Sequence, residues 1–373
     1  MTDEELRYTI ALMNTHGIGS MRARHLIKEF GSARAVFEAD SSLLMNMPAI
    51  GQAIIEQRSD SRTLDKASQE VEFINSHHIQ ALAYGEDNYP KRLLECPDAP
   101  ALLFYLGKTD LNSRHIVSIV GTRSCSQYGR DMVNRFVSEL KEAFPDVVIV
   151  SGLALGIDVS SHKAALDAGV RTMAVVAHGL DRIYPAVHRP IAEQMISQGG
   201  GILTEYPSGT QPERGNFLAR NRIVAGMADA VLVAESRDKG GSLVTASIAL
   251  DYGRDVYAFP GRVGDTRSEG CNRLIRLNRA GLITCAQDFI EAMNWESASG
   301  SNRSIQHSIP FEEEKLSPTA RLILDALRDK GDMQLSRLSD ITGLDSTSLY
   351  AELLDLEMDD KIRITPGGLY QLR

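Results

Sequence analysis

The residues best able to bind a ligand lie in one turn, Gly121-Thr122-Arg123-Ser124-Cys125-Ser126, between an apolar run and a helix-forming segment. A turn of this kind offers an anion free backbone N–H groups and the positive end of a helix dipole. Gly121 allows close approach, Arg123 offers paired donors to phosphate oxygens, and Ser124 and Ser126 add hydroxyl groups. We therefore predict an anion site centred on Gly121-Thr122-Arg123. The alternative is an ordinary turn with a surface arginine.

A second turn, Ser151-Gly152-Leu153-Ala154-Leu155-Gly156-Ile157-Asp158, follows another apolar run. Its small residues Gly152, Ala154 and Gly156 predict an open floor beneath a ligand, and Asp158 can cap the next helix. His162 is equally compatible with ligand contact and with helix packing.

The segment Asn216-Phe217-Leu218-Ala219-Arg220-Asn221-Arg222 places an aromatic ring beside cations and an amide. Proteins that hold single strands stack bases on aromatic rings and bind the backbone with basic groups. We favour such a role for Phe217, Arg220, Asn221 and Arg222. The alternative is a core phenylalanine with arginines in ion pairs.

A fourth segment, Lys239-Gly240-Gly241-Ser242, predicts one more helix N-terminus directed at the same ligand. There is no Walker motif, no G-x-G-x-x-G fingerprint and no zinc-ligand spacing in the sequence. We therefore expect no catalytic residue, metal or cofactor.

These segments alternate with the elements of a parallel sheet. Ligands of such sheets bind beyond the carboxyl ends of the strands, where most of the Gly, Ser, Arg and Asn residues of these segments cluster. The sequence predicts an α/β class with an extended Rossmann-like parallel sheet over residues 80–293. The predicted strands are His115–Gly121, Val147–Gly152, Thr172–Gly179, Gly201–Tyr206, Ala230–Ser236 and Asp255–Pro260. The predicted helices are Arg130–Phe144, Asp158–Ala168, Arg189–Gln198, Asn216–Ala225 and Ser242–Tyr252.

The two ends of the chain differ from its middle. Residues 1–75 predict a helical module of the SAM or helix-hairpin-helix kind, with glycine turns at 17–19 and 47–51. Residues 294–316 predict a polar linker, and residues 317–373 predict a winged-helix-like module of three helices and a hairpin. Its third helix, from Ser346, has no Lys or Arg, so protein contact or packing is favoured over duplex binding.

Charge and composition limit the function. The 373 residues carry a net charge of −9, which argues against wrapping of duplex DNA. Residues 81–290 are neutral, with 23 basic and 23 acidic groups, so the acidic excess lies at the ends. No apolar run predicts a membrane span, no signal peptide is predicted, and four scattered cysteines indicate the cytoplasm.

Five segments in order resemble the bacterial DNA-processing protein family DprA, also called Smf. They are Gly121-Thr122-Arg123 with Ser126, the 151–158 turn, Arg220-Asn221-Arg222-Ile223, Gly240-Gly241-Ser242 and Phe259-Pro260-Gly261. The resemblance covers about residues 80–290. It implies binding and protection of single-stranded DNA and a homodimer. It also implies loading of the recombinase RecA onto DNA in natural transformation.

The alternative is a nucleotide-processing enzyme of the lysine-decarboxylase-like phosphoribohydrolase class. That class carries a Pro-Gly-Gly-x-Gly-Thr-x-x-Glu motif in which the glutamate does the chemistry. Here the aligned stretch runs from Lys239 to Ser247, and Ser247 takes the place of the glutamate. A nicotinamide oxidoreductase lacks support, because neither its glycine fingerprint nor its ribose-binding acid is present.

Overall fold

The fold is taken from a computed structural model that describes residues 1–15, 17–46, 55, 58, 60–296, 317–359, 361–365 and 369–372. The chain divides into two compact units, Met1–Ser299 and Gly300–Arg373. The predicted glycine turn at 47–51 and most of the predicted linker lie outside the described residues. Among the described residues, none of the helices combines the length and the apolar character of a membrane-spanning segment.

The first unit is built on a nine-stranded sheet. Its strands are β1 (Gln80–Ala83), β2 (Leu102–Gly107), β3 (Ile116–Gly121), β4 (Val148–Ser151), β5 (Arg171–Val175), β6 (Gly201–Thr204), β7 (Ala230–Glu235), β8 (Asp255–Ala258) and β9 (Gly281–Leu282). The order across the sheet is β1-β2-β6-β5-β4-β3-β7-β8-β9. From β6 to β9 all neighbours are parallel, while β2 pairs antiparallel with both β6 and β1. The predicted α/β class with a parallel sheet is confirmed.

The helices of the first unit cover both faces of the sheet and its antiparallel edge. They are α1 (Asp3–Asn14), α2 (Ser20–Phe30), α3 (Ala33–Glu38), α4 (Ser41–Met45), α5 (Ser61–Ser76), α6 (Lys91–Leu94), α7 (Gln127–Ala143), α8 (Ile157–Asp167), α9 (Arg189–Ser197), α10 (Arg214–Gly226), α11 (Gly241–Asp251), α12 (Glu269–Arg276) and α13 (Ala286–Ala292), with a 3-10 turn at Ala186–His188. On one face Ile223 of α10 and Ala246 of α11 join the core, and on the other Phe136 of α7 and Ala165 of α8 do so. The central strands are therefore buried on both sides, which explains their continuous Val- and Ile-rich runs.

The chain reverses direction across the sheet at β3. After β3 it builds β4, β5 and β6 on one side, then crosses to β7 and β8 on the other. Such a switch point leaves a crevice beyond the strand ends, because the flanking connections leave in opposite directions.

The N-terminal helices pack on the antiparallel edge of this sheet. Ile10 of α1 and Ile74 of α5 share a buried cluster with Leu102 and Phe104 of β2. These apolar residues of α1 and α5 thus face the edge of the sheet.

The second unit contains α14 (Pro318–Lys330), α15 (Leu335–Thr342), α16 (Ser346–Met358) and a three-stranded sheet. The strands β10 (Met333–Gln334), β11 (Ile362–Thr365) and β12 (Leu369–Leu372) are ordered β10-β12-β11, and both pairs are antiparallel. Its core joins Ile323, Leu349 and Leu353. Assignment to the winged-helix class stays a prediction.

Candidate functional site

A crevice of about 290 Å³ opens at the switch point, beyond the carboxyl ends of β3 and β4. Helix α10 and the N-terminus of α11 contribute its other walls. Eleven of the residues predicted from the sequence line the crevice: Gly121, Thr122, Arg123, Gly152, Ala154, Phe217, Arg220, Asn221, Gly240, Gly241 and Ser242. The four segments are therefore brought together at one place.

The turn after β3 is fixed by Glu235, the last residue of β7. The N–H of Thr122 donates to the Glu235 carbonyl at 2.7 Å, and the N–H of Ser126 donates to Glu235 Oε2 at 2.8 Å. The side chain of Glu235 is buried. Its carboxylate therefore occupies the N-terminus of α7, where the sequence predicts an incoming anion.

Two glycines let the β4–α8 loop lie against this turn. Gly156 has φ +82°, and a Cβ there would meet the Thr122 carbonyl oxygen at 2.1 Å. The N–H of Ile157 donates to that same carbonyl at 3.1 Å. Gly152 leaves room for the guanidinium of Arg220, whose Nη1 would lie 2.5 Å from a Cβ.

The exposed cations lie at the mouth of the crevice. The guanidinium carbon of Arg123 lies 5.5 Å from the centroid of the Phe217 ring, within cation–π range. Arg237 and Lys239 precede the N-terminus of α11, which has no side-chain cap. Within the part of the chain that the structure describes, none of these three cations forms an ion pair. Their charges are available to an anionic ligand.

The floor of the crevice holds two buried charged side chains. Arg220 is 4% exposed and donates from Nη1 to the carbonyls of Gly152, at 2.7 Å, and Val175. Asp158 is 9% exposed, and its Oδ2 accepts from the N–H of Ala154 at 3.4 Å. Burial raises the pKa of Asp158, and the nearby Arg220 partly offsets that rise. The floor of the crevice is therefore held in place by hydrogen bonds of Arg220 and Asp158 to the backbone and by the attraction between these two side chains.

Four predicted residues lie outside the lining: Ser124, Ser126, Gly156 and Arg222. Ser126 Oγ caps α7 by accepting from the Gly129 N–H at 3.1 Å. The Ser124 N–H donates to Thr122 Oγ1 at 3.2 Å. Arg222 pairs with the buried Glu205, close to Asp98. Contact between these four residues and DNA stays a prediction.

Other residues of the site were not among those predicted. Arg237 and Lys239 line the crevice, and Lys239 could have been included because it opens the predicted glycine turn. Tyr184 lies beside Phe217, with ring centroids 5.8 Å apart. Glu235 was missed because nothing in the sequence around the end of β7 indicates that its carboxylate accepts a hydrogen bond at the N-terminus of α7.

Two residues that the sequence left open now have a place. His162 is fully buried, with Nδ1 2.7 Å from Thr172 Oγ1, and burial lowers its pKa to about 3. It is therefore a neutral core histidine rather than a ligand contact. Ser247, at the position of the hydrolase glutamate, accepts a hydrogen bond from Arg279 Nη2 at 3.0 Å.

Comparison with known proteins places this chain in a family. The sequence model of DNA recombination-mediator protein A matches residues 80–294. Protein Smf of Synechocystis sp. is 32% identical to the chain over 407 aligned positions, which cover 100% of both chains.

Two solved structures resemble the fold. DNA processing protein A (DprA) of Streptococcus pneumoniae has a TM-score of 0.62 and 34% identity, covering 78% of this chain and 98% of that one. The Helicobacter pylori protein of the same name, described for its single-stranded DNA binding mode, has a TM-score of 0.52 and 33% identity, covering 58% and 97%. With the matches in sequence and in structure, the chain belongs to the DNA recombination-mediator protein A family, whose relatives carry the names DprA and Smf.

Proposed function

We propose that the chain binds single-stranded DNA in the crevice, without catalysis. The observation that carries this proposal is the exposed guanidinium of Arg123 over the Phe217 ring at the crevice mouth. A cation beside an aromatic face meets the two needs of a single strand, a partner for phosphate and a surface for a base. The Helicobacter pylori relative, described by its single-stranded DNA binding mode, supports this assignment.

The second set of contacts lies across the crevice. Lys239 and the uncapped N-terminus of α11 face the same space as Arg123. A phosphate between them would receive backbone N–H donors and two positive charges. The strand is thereby held at points fixed by the ends of β3 and β7.

Protection of the strand, pairing of two copies and loading of RecA in natural transformation belong to the same proposal. They rest on membership of a recombination-mediator family and on the resemblance in the five segments. The hydrolase alternative receives no support from position 247, where a serine hydroxyl bonded to Arg279 replaces the carboxylate that the chemistry needs.

The proposal is tested by titrating labelled single-stranded and double-stranded oligonucleotides over a salt series, with wild type and Arg123→Ala. We expect single strands to bind more tightly than duplex. Arg123→Ala should weaken single-strand binding by about 1–3 kcal/mol, the scale of a lost charged hydrogen-bonding group. The slope of log K against log salt should also become shallower by about 0.7, one phosphate contact on a single strand.

Arg135→Ala is the matched control. Arg135 lies on α7, is 61% exposed and pairs with Glu139 at 2.6 Å, away from the crevice. Its loss removes the same charge and should leave the slope unchanged. Equal affinity and equal slope for wild type and Arg123→Ala would show that the crevice is not the DNA-binding site. Release of a free base from a nucleoside monophosphate by the purified protein would support the enzyme hypothesis instead.

A further inference from the structure

An exposed tyrosine, Tyr184, lies beside the crevice but does not line it. Tyr184 is 48% exposed, and its ring centroid lies 5.8 Å from that of Phe217 at an interplanar angle of 51°. Leu218, the next residue of α10, is also about half exposed. Single exposed apolar side chains are ordinary, but a cluster of them beside a binding crevice marks a contact surface.

The backbone under Tyr184 is fixed before any ligand arrives. The Tyr184 N–H donates to Nε2 of the buried His178 at 3.2 Å, and Nδ1 of His178 lies 2.8 Å from the Gly179 carbonyl. These two contacts need a neutral imidazole that donates from Nδ1 and accepts at Nε2. Burial lowers the pKa of His178 and keeps it in that form.

Further bonds hold the same loop. Asp181 Oδ1 accepts from the Gly209 N–H at 3.0 Å, and Arg182 Nη1 donates to Gln211 Oε1 at 2.6 Å. The ring itself has no such anchor, since the Tyr184 hydroxyl has no hydrogen-bond partner among the residues that the structure describes. A rigid loop thus presents an aromatic face to solvent, which lowers the entropic cost of contact with a ligand.

Charge around the ring suits a nucleic acid. Arg214 is exposed at the start of α10, three residues before Phe217, so both side chains lie on neighbouring positions of the same helical face. Arg123 approaches Phe217 from the crevice. An aromatic surface is thus formed by Tyr184 and Phe217, and the positive charges of Arg123 and Arg214 lie at its border.

We propose that Tyr184 is a stacking platform for a second nucleobase of the same strand, so that the strand runs from the crevice across Phe217 to Tyr184. This inference rests on the proposed function and extends it. Stacking uses the π-face that every base has, so the contact is independent of sequence.

The test compares two strands with identical phosphates. One is oligothymidylate and the other an abasic strand of the same length, about 12 nucleotides, within the range that such sites hold. Tyr184→Ala should weaken binding of oligothymidylate about tenfold, the scale of one lost stacking contact. Tyr184→Phe should bind like wild type, and Tyr184→Leu, which keeps apolar bulk without a π-face, should behave like Tyr184→Ala. The abasic strand should bind all four proteins equally.

Tyr84→Ala is the control for loss of an exposed tyrosine, since Tyr84 is 38% exposed and lies under Arg24 outside the crevice. Unchanged oligothymidylate binding by Tyr184→Ala would overturn the inference. An equal loss on the abasic strand would do so as well, because it would indicate a structural role. If Arg123→Ala also leaves single-strand binding unchanged, the proposed function is wrong as well. If only the Tyr184 variants leave binding unchanged, the crevice remains the proposed site and the inference about Tyr184 alone is wrong.

Discussion

Arg123 and Arg220 both line the crevice, but their surroundings assign them different roles. Arg123 is exposed and lies over a ring, whereas Arg220 is buried and donates to two backbone carbonyls beneath the floor. A guanidinium that is 4% exposed and bonded to two backbone carbonyls through Nη1 offers a phosphate little accessible surface. These surroundings support a structural role for Arg220 and agree with the ligand contact that we propose for Arg123.

This difference predicts that the two variants lose different amounts of stability in unfolding experiments. Arg220→Ala should lower the free energy of unfolding by roughly 3 kcal/mol, because two buried carbonyls lose a charged donor and Asp158 loses the cation that partly offsets its burial. Arg123→Ala should change it by less than about 0.5 kcal/mol, as is usual for an exposed side chain. Urea unfolding followed by circular dichroism measures both. Wild-type stability for Arg220→Ala would contradict the structural role.

The sequence indicated which residues lie near the crevice, but not which of their side chains are buried. Positions 220 and 222 both read as basic residues of one helix, and spacing along a helix gives the face a side chain occupies but not what covers that face. Burial of Arg220 under the loop at Gly152, and of Arg222 against Glu205, depends on segments far away in the chain. The cap formed by Ser126 was readable from its place before α7.

At the scale of elements, the site depends on contact between two loops, the turn after β3 and the loop before α8. The strands that carry these loops were predicted to within a few residues, because continuous Val and Ile runs ending at glycine are typical of buried parallel strands. For the antiparallel edge formed by β1 and β2, the sequence predicts only an added strand-and-loop extension over residues 80–114, without strand bounds, since short strands on an edge leave a weak periodic signal.

Gly156→Ala tests this contact between loops. The new Cβ would lie 2.1 Å from the Thr122 carbonyl oxygen, and φ at +82° is unfavourable for alanine. We expect loss of stability together with weaker single-strand binding, because the turn that carries Arg123 must move. Thermal unfolding and oligonucleotide titration measure the two effects.

Gly169→Ala supplies the control, since Gly169 has φ +66° but an added Cβ there would meet no atom within 4 Å. It should cost about 1 kcal/mol from backbone strain alone and leave DNA binding intact. Equal binding by wild type and Gly156→Ala would mean that the turn is positioned independently of the loop.

At the scale of the whole molecule, the two units differ in what they offer to DNA. Helix α16 of the second unit has no Lys or Arg, and its exposed positions include Tyr350, Leu354 and Met358. These three residues are spaced by four along one face, which favours contact with protein over contact with phosphate.

A chain ending at residue 316 should therefore keep most of its affinity for single strands. The measurement is the same titration with salt, where both the affinity and the slope should stay near those of the full chain. A large loss of affinity would assign DNA contact to the second unit and contradict our interpretation of α16.

The position of β2 has a consequence for the order of synthesis. Residues 102–107 lie beside β6, at 201–204, although β3, β4 and β5 are made in between. The N-terminal helices can pack on β2 early, but this edge cannot join the sheet until about a hundred further residues have left the ribosome. The crevice is completed later still, because the last of its walls to be synthesised is the N-terminus of α11, at Gly241. A nascent chain that stops short of that helix therefore lacks part of the crevice in which we propose that single-stranded DNA binds.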